Sequence, residues 1–208
     1  MRFTIGFDLD MTLVDSREGI VATMRAALRD QGVTVDDHQL WPHIGEPLEQ
    51  TLGRYISGEG LDRACADYRR EYLRSAVPVT TLLPGARESL EAIHDLGGHV
   101  IVVSAKVTEA VQAVLDQVGL VAEDVQGGLF ADGKATVLRR HCAAVYVGDH
   151  VGDVQAARAA DATAVAVLTG PNDKATLERA GADVILDGLR EFPGWLREWH
   201  ATGSYVAV

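Results

Sequence analysis

Two aspartates, Asp8 and Asp10, follow a short apolar run with the sequence FTIGF at residues 3–7. The run is rich in residues that favour strands and ends abruptly in acidic residues, which predicts a buried strand with both carboxylates at its carboxyl end. Two carboxylates so close together cannot both be buried and ionised without a cation, because desolvation and mutual repulsion would raise the pKa of one of them. A divalent ion that prefers oxygen ligands, such as Mg2+, would allow both to be ionised.

Polar side chains end the predicted strands at four places along the chain. They are Asp8 and Asp10 with Thr12 beyond them, Ser104 at the end of HVIVVS, Lys134 at the start of a helix after the strand-like GGLF at 127–130, and Asp149 with Asp153 around the end of AAVYVGD. Ligands of an open parallel sheet bind in the crevice beyond the carboxyl ends of its strands, so we expect these side chains to lie close together.

Together these residue types have the parts needed to transfer a phosphoryl group. One carboxylate can act as nucleophile while a second donates a proton to the leaving oxygen and later activates water, and Asp8 and Asp10 fit these two roles. The oxygens of the transferring group also need positive charge and hydrogen-bond donors. The candidate phosphate-binding residues are Thr12, Ser104 and Lys134, and the candidate ligands of Mg2+ are Asp8, Asp149 and Asp153.

The elements that must position these residues alternate regularly in the second part of the chain. From Pro84 onward, helical patterns separate the apolar segments HVIVVS, AAVYVGD, TAVAVL and ADVIL, each of which predicts a strand. Strands joined by helices of this length predict a parallel sheet covered on both faces, since parallel neighbours need a crossover connection. We therefore predict a doubly wound, Rossmann-like α/β fold.

The segment 16–80 differs from the rest because it carries helical patterns and no convincing strand. The patterns cover residues 19–32, 47–58 and 61–76. We predict that residues 1–15 and 81–208 form the α/β core and that 16–80 form an inserted α-helical cap. The connections LVDSRE and VTTLLPG are the natural hinges of such a cap.

Four segments together resemble the motifs of haloacid dehalogenase (HAD) superfamily phosphatases. They are DLDMT at 8–12, VVSAK around Ser104, DGKATV around Lys134 and GDHVGD at 148–153. They occur in the family's order and span nearly the whole chain, and the helical insertion is similar to the cap of the phosphoglycolate phosphatase group. Two positions depart from the family pattern: Met11 replaces a small residue, and Ala135 follows Lys134 where proline is common.

The resemblance implies a magnesium-dependent phosphatase that hydrolyses a small phosphomonoester of a metabolite through an aspartyl-phosphate on Asp8. It implies that Asp10 is the general acid and base and that its backbone carbonyl also meets Mg2+. The implied phosphate contacts are Ser104 and Lys134, and the implied metal residues are Asp8, Asp10, Asp149 and Asp153.

Three polar residues of the predicted cap are candidates for contacts with the substrate. The segment HIGEPLEQTL at 43–52 is similar to a Gly-x-Pro-Leu segment that the family places facing the active site, and the candidates are His43, Glu46 and Arg54. Polar residues of a surface helix are mostly solvated, which is the competing interpretation. Lys106 is a second choice as phosphate ligand, although we expect it to be solvated at the start of a helix, and we expect His150 to point into solvent.

The composition excludes several other classes of protein. A formal net charge of −11 over 208 residues repels nucleic acid, and no Lys/Arg cluster interrupts that charge. The two cysteines, Cys65 and Cys142, lack metal-binding spacing and fit a reducing compartment. No apolar run is long enough for a membrane span and the first residues do not resemble a signal peptide, so we expect a cytoplasmic protein.

Other functions share part of this pattern and stay open at this point. A phosphomutase of the same family, similar to β-phosphoglucomutase, would use Asp8 and Asp10 but protect the aspartyl-phosphate from water. A haloacid dehalogenase needs neither Asp10 nor Mg2+. From another class, a phospho-receiver signalling module also combines acids, Ser/Thr and Lys on a parallel sheet, but its phosphorylated Asp lies on a later strand and it lacks a helical insertion.

Overall fold

A parallel β-sheet forms the centre of the structure, a computed structural model that describes residues 3–203. The strands in this range are β1 (Thr4–Phe7), β2 (Val14–Asp15), β3 (Thr81–Leu82), β4 (His99–Val103), β5 (Asp124–Gln126), β6 (Ala143–Gly148), β7 (Thr163–Val167) and β8 (Val184–Leu186). Six of these strands align in the order β5-β4-β1-β6-β7-β8, and every neighbouring pair is parallel. The predicted parallel sheet is confirmed.

Helices connect the parallel strands, as the crossover rule requires. Those in the described range are α1 (Arg17–Asp30), α2 (Asp37–Leu40), α3 (Leu48–Leu52), α4 (Glu59–Glu71), α5 (Ala86–Asp95), α6 (Thr108–Val118), α7 (Asp132–Arg140), α8 (Val151–Ala159), α9 (Lys174–Ala180) and α10 (Phe192–Ala201). None of the helices within residues 3–203 is both long and apolar enough to cross a lipid bilayer.

The helices cover both faces of the sheet, which confirms the doubly wound α/β fold. Alternate residues of β4 belong to different hydrophobic clusters, because successive side chains of a strand point to opposite faces. Val102 packs in the cluster that contains Leu90 of α5 and Phe192 of α10. Val103 packs in the second cluster with Leu138 of α7 and Val154 of α8.

The segment between β2 and β3 is helical throughout its regular elements. It contains α1 to α4, and α4 continues into a π-helical turn at Tyr72–Ala76 and a 3-10 turn at Val77–Val79. β2 and β3 pair as an antiparallel ribbon that sets Asp15 beside Thr81. Both connections of the helical segment to the sheet therefore meet at one place. The division into core and cap stays a prediction.

Two predicted elements are wrong in detail. The strand-like GGLF at 127–130 is not a strand; the fifth strand is Asp124–Gln126, whose polar ends hide it from a search for apolar runs. The helix predicted at 47–58 ends at Leu52. The next residue is Gly53. A Cβ at this position would lie 2.6 Å from the Glu49 carbonyl oxygen, so the backbone there is too close for a side chain.

Candidate active site

Asp8 comes directly after β1, in the middle of the sheet. The amide of Asp8 donates a 2.8 Å hydrogen bond to the Val147 carbonyl, which continues the pairing with β6. The chain then turns sharply, and the amides of Leu13 and Val14 both donate to the Leu9 carbonyl. Met11 has φ +60° in this turn, a conformation that is costly for a residue with a side chain. The turn places Asp8 and Asp10 at the carboxyl edge of the sheet, where ligands of such folds bind.

Lys134 holds two of the acidic residues together. Its Nζ lies 2.8 Å from Oδ1 of Asp8 and 2.6 Å from Oδ1 of Asp153, and all three side chains are buried. The second oxygen of Asp153 accepts a 3.1 Å hydrogen bond from the amide of His150. Burial lowers the pKa of Lys134, but Asp153 and Asp8 raise it further, so that it lies well above its ordinary value. Lys134 is therefore a fixed positive charge beside Asp8.

Asp149 is the least satisfied acid of the site. Thr12 Oγ donates a 2.7 Å hydrogen bond to Oδ1 of Asp149, whereas Oδ2 is buried and has no hydrogen-bond partner among residues 3–203. A buried carboxylate oxygen without a partner is costly, which indicates that a further group completes the site. The hydroxyl of Thr12 is thus engaged by Asp149, and a contact from Thr12 to phosphate stays a prediction.

The three acids Asp8, Asp149 and Asp153 converge closely enough to bind one metal ion. Each offers a carboxylate oxygen, and these oxygens lie within 4.8 Å of one another. Burial raises the pKa of Asp8 to about 7, against the opposing effect of Lys134 and with support from Asp153 and Asp10. Burial and the neighbouring Asp8 and Asp153 raise the pKa of Asp149 well above its ordinary value. A hard divalent cation with oxygen ligands would relieve this repulsion, so the residues fit Mg2+.

Asp10 lies beside the first acid but has different partners. Ser16 Oγ donates a 2.7 Å hydrogen bond to Oδ1 of Asp10, and Lys106 Nζ lies 3.2 Å from Oδ2. The interpretation of Lys106 as a solvated residue is wrong, because its side chain is only 8% exposed. Helix α6 begins at Thr108, two residues after Lys106, so Lys106 lies in the loop that faces the sheet edge.

The ammonium of Lys106 also contacts the helical segment. Its Nζ lies 3.7 Å from the centroid of the Tyr72 ring, within the range of a cation–π interaction. Tyr72 stacks in turn on Tyr68, with ring centroids 5.6 Å apart. Neither Ser16 nor Tyr72 is among the site residues predicted from the sequence. The available signal was the position of Ser16 at the hinge, six residues after Asp10.

A cavity of about 230 Å³ opens onto these residues. Asp8, Asp10, Ser104 and Lys106 line its base on the sheet side. The residues that line its other walls are mostly apolar or aromatic, and three of them are charged. Those from the helical segment include Ile20, Met24, Ile44, Glu46, Leu48, Glu49, Tyr68, Arg69 and Tyr72. The cavity therefore has charged residues on the side of the sheet and largely apolar residues on the side of the helical segment.

Ser104 lies where the sequence predicts it, immediately after β4. It is buried, and its Oγ accepts a 3.2 Å hydrogen bond from the amide of Lys106. Its own amide donates to the carbonyl of Gln126 on the neighbouring strand. The hydroxyl faces the same cavity as Asp8, and its contact with phosphate stays a prediction.

The three polar candidates of the helical segment contact one another. Arg54 donates a 2.7 Å hydrogen bond to Glu46, and His43 Nδ1 lies 3.2 Å from the same carboxylate. Glu46 is among the residues that line the cavity described above. Glu46 thus lines the cavity, with Arg54 as its ionic partner and His43 within hydrogen-bond distance. Contacts of these residues with substrate stay predictions.

His150 is buried, so the expectation that it points into solvent is wrong. Its Nδ1 accepts a 3.1 Å hydrogen bond from the amide of Gly152 and so caps helix α8. Gly45 of the helical segment packs against the imidazole, because a Cβ at Gly45 would lie 3.3 Å from its ring. Burial lowers the pKa of His150. The contact between His150 and Gly45 ties the helical segment to the sheet edge.

Known proteins of similar sequence cover most of this chain. Tyrosine-protein kinase PtkA of Mycobacterium tuberculosis is 30% identical over 207 residues, which cover 90% of this chain and 71% of that protein. Phosphoglycolate phosphatase of Pseudomonas fluorescens is 29% identical over 213 residues, covering 91% of this chain and 78% of that protein. Phosphoglycolate phosphatase of Chromobacterium violaceum is 28% identical over 209 residues, with coverage of 90% and 93%.

Solved structures share the fold. A predicted phosphatase from Clostridium acetobutylicum superimposes with a TM-score of 0.84 at 23% identity, over 94% of this chain and 98% of that one. A haloacid dehalogenase-like hydrolase from Streptococcus pneumoniae gives a TM-score of 0.83 at 24% identity, over 93% and 98%. At this level of identity the similarity establishes the fold.

Family profiles match in two adjoining parts. A HAD-hydrolase-like profile matches residues 121–192, which include Lys134, Asp149 and Asp153. The profile of the haloacid dehalogenase-like hydrolases matches residues 5–123, which is more than half of the chain and includes Asp8, Asp10 and Ser104. The chain belongs to the haloacid dehalogenase-like hydrolase family.

Proposed function

We propose that the chain is a magnesium-dependent phosphatase that hydrolyses a small phosphomonoester through an aspartyl-phosphate on Asp8. The observation that carries the proposal is the acidic cluster beside the cavity, where Asp149 keeps a buried carboxylate oxygen without a partner among the described residues. Membership of a hydrolase family and similarity to proteins named phosphoglycolate phosphatase support the same reaction class.

In the first step, a carboxylate oxygen of Asp8 attacks the phosphorus and the bond between phosphorus and the leaving oxygen breaks. Asp10, which lines the same cavity, gives its proton to that oxygen, so the product leaves as a neutral alcohol. Lys134, 2.8 Å from Asp8, supplies positive charge next to the transferring group. This step leaves the phosphoryl group on Asp8 and a carboxylate on Asp10.

In the second step, Asp10 takes a proton from a water molecule as that water attacks the phosphorus. The bond between phosphorus and Asp8 breaks, which restores the Asp8 carboxylate and releases inorganic phosphate. Asp10 is protonated again and ready for the next cycle. A phosphomutase would differ here, because it would return the phosphoryl group to a sugar hydroxyl instead of water.

The proposed ligands of Mg2+ are Asp8, Asp149 and Asp153, with the backbone carbonyl of Asp10 as a further ligand by resemblance to the family. When bound, Mg2+ would neutralise negative charge that these acids and the phosphate share. Lys134 occupies one oxygen each of Asp8 and Asp153, and Thr12 occupies one oxygen of Asp149. The other oxygen of Asp149 is buried without a partner among residues 3–203, so it is an open position for the ion.

The substrate that the cavity supports is small. About 230 Å³ is below the range of about 300–1,000 Å³ that is common for sites of drug-sized ligands. A two- or three-carbon phosphate such as phosphoglycolate, the substrate in the names of several relatives, would fit this volume. Residues 16–80 would form the cap over it, with His43, Glu46 and Arg54 as candidate contacts. We place the reaction in the cytoplasm.

The test is a phosphate-release assay with a generic aryl phosphate and with phosphoglycolate. Activity should require Mg2+ and fall by about 10⁴-fold or more in Asp8→Asn. Acid-quenched labelling should give a phosphoprotein in the parent chain that is absent from Asp8→Asn. Full activity of Asp8→Asn would remove Asp8 as the nucleophile. Conversion of a hexose 1-phosphate to its 6-phosphate would instead support the mutase, and a stoichiometric label without turnover would support a receiver module.

A protein kinase is a second candidate, carried by the 30% identity with PtkA. Such an enzyme must bind a nucleotide, and the small cavity argues against that. Incubation with ATP labelled at the γ-phosphate separates the two activities. Label transferred to tyrosine would support the kinase, whereas release of labelled phosphate from a small ester alone supports the phosphatase.

A further inference from the structure

Two side chains, Tyr72 and Lys106, connect the helical segment to Asp10, the proposed general acid. Tyr72, in the π-helical turn that follows α4, presents its ring to the ammonium of Lys106 at 3.7 Å from the centroid. The same ammonium lies 3.2 Å from Oδ2 of Asp10. The two proposed steps give no role to Lys106 or Tyr72. Their contacts therefore need an explanation beyond the chemistry of Asp8 and Lys134.

The carboxyl group of Asp10 is held from two sides. Ser16 donates to Oδ1 at 2.7 Å and Lys106 approaches Oδ2 at 3.2 Å. Each carboxyl oxygen has two lone-pair directions, so the held group keeps positions for the proton that it exchanges. A group that must reach both a leaving oxygen and a water gains from such restraint, since a small misplacement of an acid or base reduces the rate strongly.

Lys106 is itself restrained by its surroundings. Its side chain is 8% exposed, and its backbone amide donates to Ser104 Oγ at 3.2 Å. A buried ammonium is costly without partners, and the partners here are the carboxyl group of Asp10 and the Tyr72 ring. Tyr72 is buried, and no hydrogen bond joins its hydroxyl to Lys106 or Asp10. The ring rather than the hydroxyl is thus the part of Tyr72 that contacts the site.

We propose that Lys106 is a positioning residue that fixes Asp10 for proton transfer, and that Tyr72 holds Lys106 in place from the helical segment. The inference rests on the proposed function, because it assigns Lys106 to the step in which Asp10 protonates the leaving oxygen. It also makes the orientation of Asp10 depend on the docking of the helical segment, since one of the three members belongs to that segment.

The experiment compares kcat/KM for two esters, 4-nitrophenyl phosphate and benzyl phosphate. 4-Nitrophenolate leaves readily without a proton, whereas the alkoxide of benzyl alcohol does not. Lys106→Met keeps the length of the side chain but removes its charge. We expect its loss in kcat/KM to be about tenfold or more greater for benzyl phosphate than for 4-nitrophenyl phosphate. Lys106→Arg, which keeps the charge, should remove most of this dependence on the leaving group.

Tyr72 provides a matched pair of variants. Tyr72→Phe keeps the ring and should show the same ratio of kcat/KM between the two esters as the parent chain. Tyr72→Leu removes the ring and should show the dependence on the leaving group seen in Lys106→Met, but smaller. Circular dichroism and thermal unfolding establish that each variant is folded. If Lys106→Met does not fold, the Tyr72 pair still decides the question.

Equal losses for both esters would overturn the inference, because they would indicate a direct contact of Lys106 with phosphate or a structural role. Equal defects in Tyr72→Phe and Tyr72→Leu would also overturn it, since the hydroxyl would then matter rather than the ring. Asp8→Asn distinguishes a failure of the proposed function from a failure of the inference about Lys106. If that variant keeps full activity, the proposed function fails; if it is inactive while Lys106→Met shows no dependence on the leaving group, only the inference fails.

Discussion

Thr12 Oγ donates a 2.7 Å hydrogen bond to Oδ1 of Asp149, and Oδ2 of the same carboxylate lies buried without a partner among residues 3–203. The bond fixes the orientation of the carboxylate, so that its open oxygen is directed by the protein rather than by an incoming ion. Such outer hydrogen bonds commonly tune the affinity of metal ligands. The pair leads to two separate expectations, one for each residue.

Asp149→Asn should abolish the response to Mg2+ and stabilise the metal-free protein at neutral pH. Burial, with Asp8 and Asp153, raises the pKa of Asp149, so the contribution of this group to the stability of the metal-free parent is fully present below the ordinary pKa and is lost as pH rises through the raised value. Asparagine cannot ionise and keeps an oxygen for Thr12. Urea unfolding with a chelator at about pH 8 should show a gain of about 1 kcal/mol or more. A loss of stability under these conditions would contradict the prediction.

Thr12→Val should weaken Mg2+ binding by about 10–100-fold, because it removes the hydrogen bond that orients Asp149. The change is nearly isosteric, so the fold should persist. Titration calorimetry measures the affinity, and Thr136→Val serves as control because Thr136 is exposed on α7. Unchanged affinity in Thr12→Val would show that Asp149 does not need this support.

Lys134→Met should destabilise the protein by about 3–5 kcal/mol at neutral pH, because it leaves the buried Asp8 and Asp153 without their shared partner. A double-mutant cycle with Asp153→Asn isolates the contact. We expect a coupling energy of about 1–3 kcal/mol from chelator-treated protein in urea. Additive effects of the two substitutions would mean that the Lys134–Asp153 contact contributes nothing to stability.

Gly45→Ala should reduce kcat/KM by more than its loss of stability explains. Gly45 has φ +97°, and an added Cβ would lie 3.3 Å from the His150 ring, so the substitution would push the helical segment away from the sheet edge. Gly32→Ala is the matched control, because Gly32 has φ +78° with nothing within 4 Å of the added Cβ. Both should lose about 1–2 kcal/mol from the backbone, and only Gly45→Ala should lose activity. Equal values of kcat/KM for Gly45→Ala and Gly32→Ala would show that the contact between Gly45 and His150 has no role in catalysis.

The fold was predictable from the alternation of apolar and helical segments, since that pattern requires a parallel sheet. Asp8, Ser104 and Asp149 were predictable as neighbours for the same reason, because each ends a strand of that sheet. Lys106 was not predictable, since its burial depends on the helical segment placing Tyr72 above it. That contact joins residues from distant parts of the chain, and sequence spacing carries no information about it.

The strand order also bears on how the protein is made. β1 is synthesised first but lies between β4 and β6 in the finished sheet, and Thr12 meets Asp149 from 137 positions away. Until β6 leaves the ribosome, one edge of this apolar strand stays unpaired, which slows folding and invites aggregation. We expect a nascent chain in which β6 and Asp149 have not yet left the ribosome to lack the candidate metal site and to depend on chaperones.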